Sequence, residues 1–352
     1  MTTPYASESF LHQLLGKALA ANASDIHLKV GQPPGARVRG DMVYFRVDKI
    51  RDADTEAVAK IILARQSSFR EQSLDTLSEH DTSYAVVGLG RFRVNIYRQR
   101  GTLAVVMRAI PIIIPSFEEL GVPAPVALMA EHDRGLVLVA GAAGNGKSST
   151  LAAMVGHING TMAKHIVTIE DPIEFLHEDN RSSISQREIG LDTNNFASAL
   201  RAALRQDPDV ILVGEIRDPE TMEIVLQAAE TGHLVVLTVH TPDVARTINR
   251  LLSLSKGPGD VRERIADCLQ GIIAQRLLSK RDGTGLCLAA EMLVVTGTVR
   301  EALKRPESNP SLKELMEKGV SPYGMQTFEM HLKQLVVQGV IAKDVAKAAA
   351  TF

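Results

Sequence analysis

From residue 136 to residue 239 the chain alternates short, almost wholly apolar runs with segments of helical periodicity, and this alternation constrains the fold more than any other feature. The runs lie at 136–140, 166–169, 210–213 and 234–239, and helical spacing fills 147–158, 196–205 and 219–230. A strand that is apolar at consecutive positions must be covered on both faces, and strands separated by helices are joined in parallel. The expected fold from Val126 onward is therefore α/β, a parallel sheet clothed by helices on both sides. One more strand is expected at 287–295, and helices dominate after Thr298.

The N-terminal part has a different texture. Phe10, Leu11, Leu14, Leu15, Ala18 and Leu19 repeat at helical spacing. Residues 25–30 alternate as a strand does, 36–47 form a hairpin expected to turn at Gly40-Asp41, and 54–65 are helical. Three strands follow at 82–87, 91–97 and 103–110. This predicts a small α+β domain with a mostly antiparallel sheet. Pro111, Pro115, Gly121, Pro123 and Pro125 mark a semi-rigid linker. The expected division is residues 1–110, a linker at 111–125, and 126–352 as the larger domain with a helical C-terminal part.

Composition removes several classes of function. A formal net charge of -2 carries no global signal for nucleic acid or an anionic membrane. Aromatic content of 4%, with no Trp, leaves few platforms for base stacking, so no nucleic-acid partner is expected. No run approaches the roughly 20 apolar residues of a membrane span, and no signal peptide is expected at the N-terminus. Cys268 and Cys287 are too few for a tetracysteine zinc site and are read as reduced thiols.

The sequence Gly141-Ala142-Ala143-Gly144-Asn145-Gly146-Lys147-Ser148 matches the phosphate-binding pattern G-x-x-x-x-G-K-[ST], followed by Ser149. Its glycines let consecutive N–H groups turn onto phosphate, and the following helix adds positive potential at its N-terminus. Lys147 can reach the β- and γ-phosphates, and the Ser148 hydroxyl can ligate Mg²⁺. The pattern falls between an apolar strand and a helix, as its chemistry requires. An ATPase using ATP and Mg²⁺ is the expected activity.

Three further constellations stand at strand ends. The run Val210-Ile211-Leu212-Val213 reaches Gly214 and Glu215, so Gly214 takes the place of the usual strand-terminal aspartate. Glu215 is either the carboxylate that polarises the attacking water or an acid that merely pairs with Arg217. Glu170, Asp171 and Glu174 follow the strand at 166–169 and are either ligand-facing or a solvated loop with a helix cap. His240 ends the strand at 234–239 on the ligand side, whereas His233 at its start reads as structural. Arg91, Arg93, Arg98, Arg100 and Arg108 cluster in the first domain, as a solvated strand face or as guanidinium groups reaching phosphate.

Together these segments resemble the secretion ATPase superfamily, motors of type IV pili and type II secretion, and within it the pilus retraction branch. The likeness covers nearly the whole chain. It rests on Ser24-Asp-Ile-His-Leu-Lys-Val-Gly-Gln-Pro-Pro, on Gly90-Arg-Phe-Arg-Val-Asn, and on the 141–149 loop as a Walker A motif. Residues 168–175 resemble an aspartate box, 207–218 a Walker B box, 231–241 a histidine box, and Gly324-Met-Gln-Thr-Phe-Glu a C-terminal signature. The resemblance implies a PAS-like N-terminal domain, a RecA-like P-loop ATPase domain and a ring of six copies, with nucleotide between the domains. It further implies Glu215 and Glu174 as catalytic carboxylates, His240 as a sensor of nucleotide state, and Arg93 and Arg108 as phosphate contacts. The implied function is a cytoplasmic homohexameric motor, docked peripherally on an inner-membrane pilus platform protein, that powers pilus retraction and twitching motility. Assembly and type II secretion ATPases usually carry an extra N-terminal region and a four-cysteine module, which are not seen in this sequence. Ala142, Asn145 and the stretches 238–243 and 255–260 depart from the usual retraction sequence. The alternative is the same fold powering pilus assembly or type II or IVB secretion.

Overall fold

The computed structural model describes residues 3–64, 74–111, 113–255 and 260–350. Arg65, at the end of the helix expected over 54–65, and residues 256–259 of the stretch 255–260 lie outside the described residues. The chain forms two units. The first gathers Met1–Ile113 with Glu174–Leu176 and Gly190–Asp192, and the second holds Ile114–Ile173, His177–Ile189 and Thr193–Phe352.

In the first unit, α1 (Glu8–Ala20) leads into β1 (Ala23–Lys29), β2 (Gly35–Val38) and β3 (Asp41–Tyr44). Then come α2 (Asp52–Leu63), β4 (Glu79–Val86), β5 (Gly90–Gln99) and β6 (Thr102–Ala109). The strands make one antiparallel sheet in the order β3-β2-β1-β6-β5-β4. Alternation sorts their side chains: Phe92, Val94 and Ile96 of β5 point into a core shared with Leu11 and Leu15 of α1. The hairpin turns at Arg39-Gly40, with φ of 52° and 92°, one residue before the expected turn, so Asp41 already belongs to β3. Two successive positive φ values match the twist of a two-residue hairpin.

The second unit opens with α3 (Phe117–Leu120) and α4 (Pro125–Ala130). The proline-rich stretch thus contains a helical turn that composition hides. Ser116 and Glu119 cap it reciprocally, and Gly121 closes it at φ 66°. There follow β7 (Gly135–Ala140), α5 (Lys147–Thr161), β8 (His165–Glu170), β9 (Ser183–Glu188), α6 (Phe196–Ala203), β10 (Val210–Val213) and α7 (Pro219–Glu230). Next are β11 (Leu234–Val239), α8 (Val244–Leu254), α9 (Val261–Cys268), β12 (Leu269–Ser279) and β13 (Leu286–Val294). Four helices finish the unit: α10 (Gly297–Lys304), α11 (Leu312–Lys318), α12 (Phe328–Val337) and α13 (Lys343–Ala349).

The seven-stranded sheet runs β13-β12-β7-β11-β10-β8-β9. Its ladders are parallel except β12–β13, which is antiparallel. β7 shows why its strands are apolar throughout. Leu136, Leu138 and Ala140 enter the core on one face, and Val137 and Val139 enter the core on the other, against Leu151, Met154 and Ile158 of α5.

Candidate active site

Sheet order builds the site. Strands β7, β11, β10 and β8 are adjacent and parallel, so the loops that leave their C-terminal ends share one edge. Those loops are 141–146 after β7, His240 after β11, Gly214 and Glu215 after β10, and Asp171 after β8. The carboxyl edge of an open α/β sheet is where such folds bind ligands.

The loop after β7 is shaped as a phosphate cradle. Gly144 and Gly146 adopt φ of 79° and 78°, and α5 begins at Lys147. A Cβ on Gly141 would sit 2.8 Å from the carbonyl oxygen of Gln275, so only glycine lets the loop lie against β12. Ala142, Ala143 and Gly144 are exposed at the tip, Asn145, Gly146, Ser148 and Ser149 are half-buried, and Lys147 is buried. Lys147 Nζ donates to the carbonyls of Gly141 at 2.9 Å and Ala142 at 3.1 Å. Asn145 has a role the sequence did not disclose. Its Oδ1 accepts the N–H of Leu277 at 3.0 Å and pins the loop to β12. Below it Gln275 donates to Thr150 Oγ1 at 2.7 Å. No local pattern signals these ties, because their partners lie more than a hundred residues away in sequence.

Lys147, His240 and Glu215 form a chain. Lys147 Nζ is 3.4 Å from His240 Nδ1, and His240 Nε2 is 3.2 Å from Glu215 Oε2. An ammonium offers only donors, so Nδ1 accepts from Lys147, while Nε2 on the other side of the ring faces the carboxylate of Glu215. The other oxygen of Glu215 pairs with Arg217. Glu215 therefore lies between His240 and Arg217, beside the phosphate loop and paired with the arginine two residues on. At Gly214 a Cβ would lie in ordinary contact with the end of β8, 3.4 Å from the Ile169 carbonyl oxygen and 3.5 Å from Glu170 Cα, so space alone does not demand glycine there.

Other expected residues are placed differently. Glu170 Oε1 accepts from Thr168 Oγ1 at 2.6 Å and Gln186 Nε2 at 3.2 Å, tying β8 to β9. Asp171 and Glu174 are exposed, and Glu174 belongs to the first unit. His233 Nδ1 donates to the Ala228 carbonyl at 2.9 Å, a structural tie at the far end of β11. In the first unit Arg98 donates to the carbonyls of Leu77, Leu74 and Gly101, and Arg91 to Ser83, so these two brace their own domain. Arg108 Nε donates to Asp25 Oδ1 at 2.8 Å. Burial alone would raise the Asp25 pKa, but hydrogen bonds from Ser24 and Arg108 outweigh it and hold the carboxyl below its usual range. Arg93, opposite Arg108 across the β5–β6 ladder, is exposed.

Among the described residues no group of three or more His, Cys, Asp or Glu is placed to hold a metal ion. A Mg²⁺ brought by a nucleotide needs few protein ligands and keeps several waters. Ser148, at the second residue of α5, offers a hydroxyl that suits it.

The family model described as Type II/IV secretion system protein matches residues 5–349. The chain is 40% identical over 338 residues to the Type IV pilus retractation ATPase PilT of Pseudomonas aeruginosa, covering 95% of this chain and 96% of that protein. The crystal structure of the pilus retraction motor PilT with bound ADP is similar with a TM-score of 0.87 at 40% identity, covering 97% of each chain. The X-ray structure of the Legionella pneumophila ATPase DotB gives a TM-score of 0.83 at 28% identity, over 97% of this chain and 95% of that one.

Proposed function

This chain belongs to the type II/IV secretion system protein family, and from that premise we infer that it is an ATP hydrolase powering type IV pilus retraction. The observation that carries the chemistry is the contiguous path from Lys147 through His240 to Glu215 at the edge of the phosphate loop. The end-to-end likeness to a retraction motor carries the direction of work.

Phosphoryl transfer to water asks for positioning and charge neutralisation rather than covalent catalysis. The N–H groups of 141–146 and the start of α5 would hold the phosphate oxygens. Lys147 would exchange its carbonyl partners for the β- and γ-phosphates. Mg²⁺, held through Ser148 and the nucleotide, would supply charge neutralisation. Glu215 would orient the attacking water, and His240, hydrogen-bonded to Lys147 and 3.2 Å from Glu215, would register the γ-phosphate. Glu174 is the second candidate carboxylate, and Arg93 and Arg108 are the candidate cations from the first unit. We assign the chain to a homohexamer working on the cytoplasmic side of an inner-membrane platform protein, where loss of the γ-phosphate changes the relation of residues 1–110 to residues 126–352 across the 111–125 segment. No helix among the described residues is long and apolar enough to cross a membrane.

The test is made in cells lacking the gene, complemented by wild type or Glu215→Ala, with surface pili counted and labelled pili followed in time. Excess pili that never shorten, rescued only by wild type, are the expected result. Bald cells, or normal pili with lost secretion, would move the chain to the assembly or secretion class.

A further inference from the structure

Glu215 has its two carboxylate oxygens held by different partners, Oε2 by His240 and Oε1 by Arg217. We propose that Arg217 is a positioning residue for ATP hydrolysis, holding Oε1 of Glu215 so that the carboxylate stays aligned with His240 and the phosphate loop. The inference rests on the reading of Glu215 as the carboxylate that orients water.

The local fold makes Arg217 suited to this. Ile216 between the two residues is 5% exposed and packs into the core, which turns both flanking side chains away from that core. The segment is short and fixed at both ends. β10 ends at Val213, and Asp218 caps α7 by accepting the N–H of Thr221 at 2.9 Å. The carboxylate is mostly buried, with 13% side-chain exposure, whereas the guanidinium is 69% exposed.

An exposed arginine paired to one acid is usually worth little, because a long side chain must be ordered in water. Here a second acid contributes. Hydrogen bonding to Glu215, then the charges of Glu215 and Asp171, hold the guanidinium above the ordinary arginine range. Asp171 follows β8 and Glu215 follows β10, and these strands are paired, with Ile169 opposite Val213. Arg217 therefore lies in the field of acids from two neighbouring strand ends. Each carboxylate oxygen has a second lone pair, so holding Oε1 and Oε2 from the sides leaves Glu215 able to accept from water. Small misplacements of such a group cost rate rather than binding.

The experiment measures steady-state phosphate release against ATP concentration for the full chain, wild type, Arg217→Ala, Arg217→Lys and Glu215→Gln, with ADP-induced thermal stabilisation in parallel. Arg217→Ala is expected to lower kcat about ten- to a hundredfold with KM within about twofold. Arg217→Lys keeps the charge without the planar fork and should recover only part. A kcat within about twofold of wild type in Arg217→Ala overturns the proposal. So does a raised KM at unchanged kcat, or a loss of ADP stabilisation, since either places Arg217 in binding. Wild-type turnover in Glu215→Gln would instead overturn the reading of Glu215 itself, whatever Arg217→Ala does.

Discussion

Nζ of Lys147 lies 3.4 Å from Nδ1 of His240, so the lysine proposed to bind phosphate shares a hydrogen bond with the histidine after β11. An arriving phosphate competes for the same ammonium. Lys147→Ala is therefore expected to reduce phosphate release at least about a hundredfold. ADP should also cease to raise the melting temperature, because binding to the folded state is what stabilises it. Retention of both signals would remove Lys147 from the site.

Glu215→Gln keeps the shape of the side chain beside His240 but loses the charge proposed to orient water. Turnover should fall about a hundred- to a thousandfold while ATP binding persists. Fluorescent-nucleotide binding beside a phosphate-release assay separates the two effects.

Asn145 holds the phosphate loop to β12 through Leu277. Asn145→Ala leaves the Leu277 N–H without that partner, at a cost of about 1 kcal/mol. The loop then samples conformations that do not cradle phosphate. A raised KM for ATP with a melting temperature a few degrees lower is expected, read from kinetics and thermal unfolding. An unchanged KM would mean that the glycines alone hold the loop.

Glu291 on β13 is buried, and that burial, reinforced by the neighbouring Asp243 charge, pushes its pKa up to about 7. The folded value thus exceeds that of the unfolded chain, so the folded state holds the proton longer. Stability is lost as pH rises from the ordinary carboxylate range to about 7 and is then level in this contribution. The oppositely shifted carboxylates Asp25, Asp54 and Glu223, held below their ordinary values, act in the other direction and at lower pH. Glu291→Gln should therefore be more stable than wild type at pH 8 and show no such advantage at pH 5, measured by urea unfolding. A difference that does not change with pH would assign it to packing instead.

Much of the second unit was legible along the chain. β10, α7 and β11 occupy 210–213, 219–230 and 234–239, as their periodicity predicts, because strands buried on both faces and an amphipathic helix write their environment into consecutive residues. The phosphate loop and the acid after β10 were likewise local signals. β9 was not legible, since its Ser-Ile-Ser-Gln-Arg-Glu is mostly polar and it joins the sheet edge by backbone pairing to β8. β12 was missed because α9 passes straight into it at Cys268-Leu269, with no turn residues between.

The sequence by itself determined that the loops carrying the candidate phosphate-binding and water-orienting side chains leave the C-terminal ends of parallel strands. It did not determine their neighbours. In chain order the loops follow β7, β8, β10 and β11, whereas in the sheet β11 lies between β7 and β10. Only that crossover sets His240 between Lys147 and Glu215, and only the pairing of β7 with β12 brings Leu277 to Asn145. Strand order depends on how the helices pack over the two faces, a non-local balance that no window of consecutive residues records.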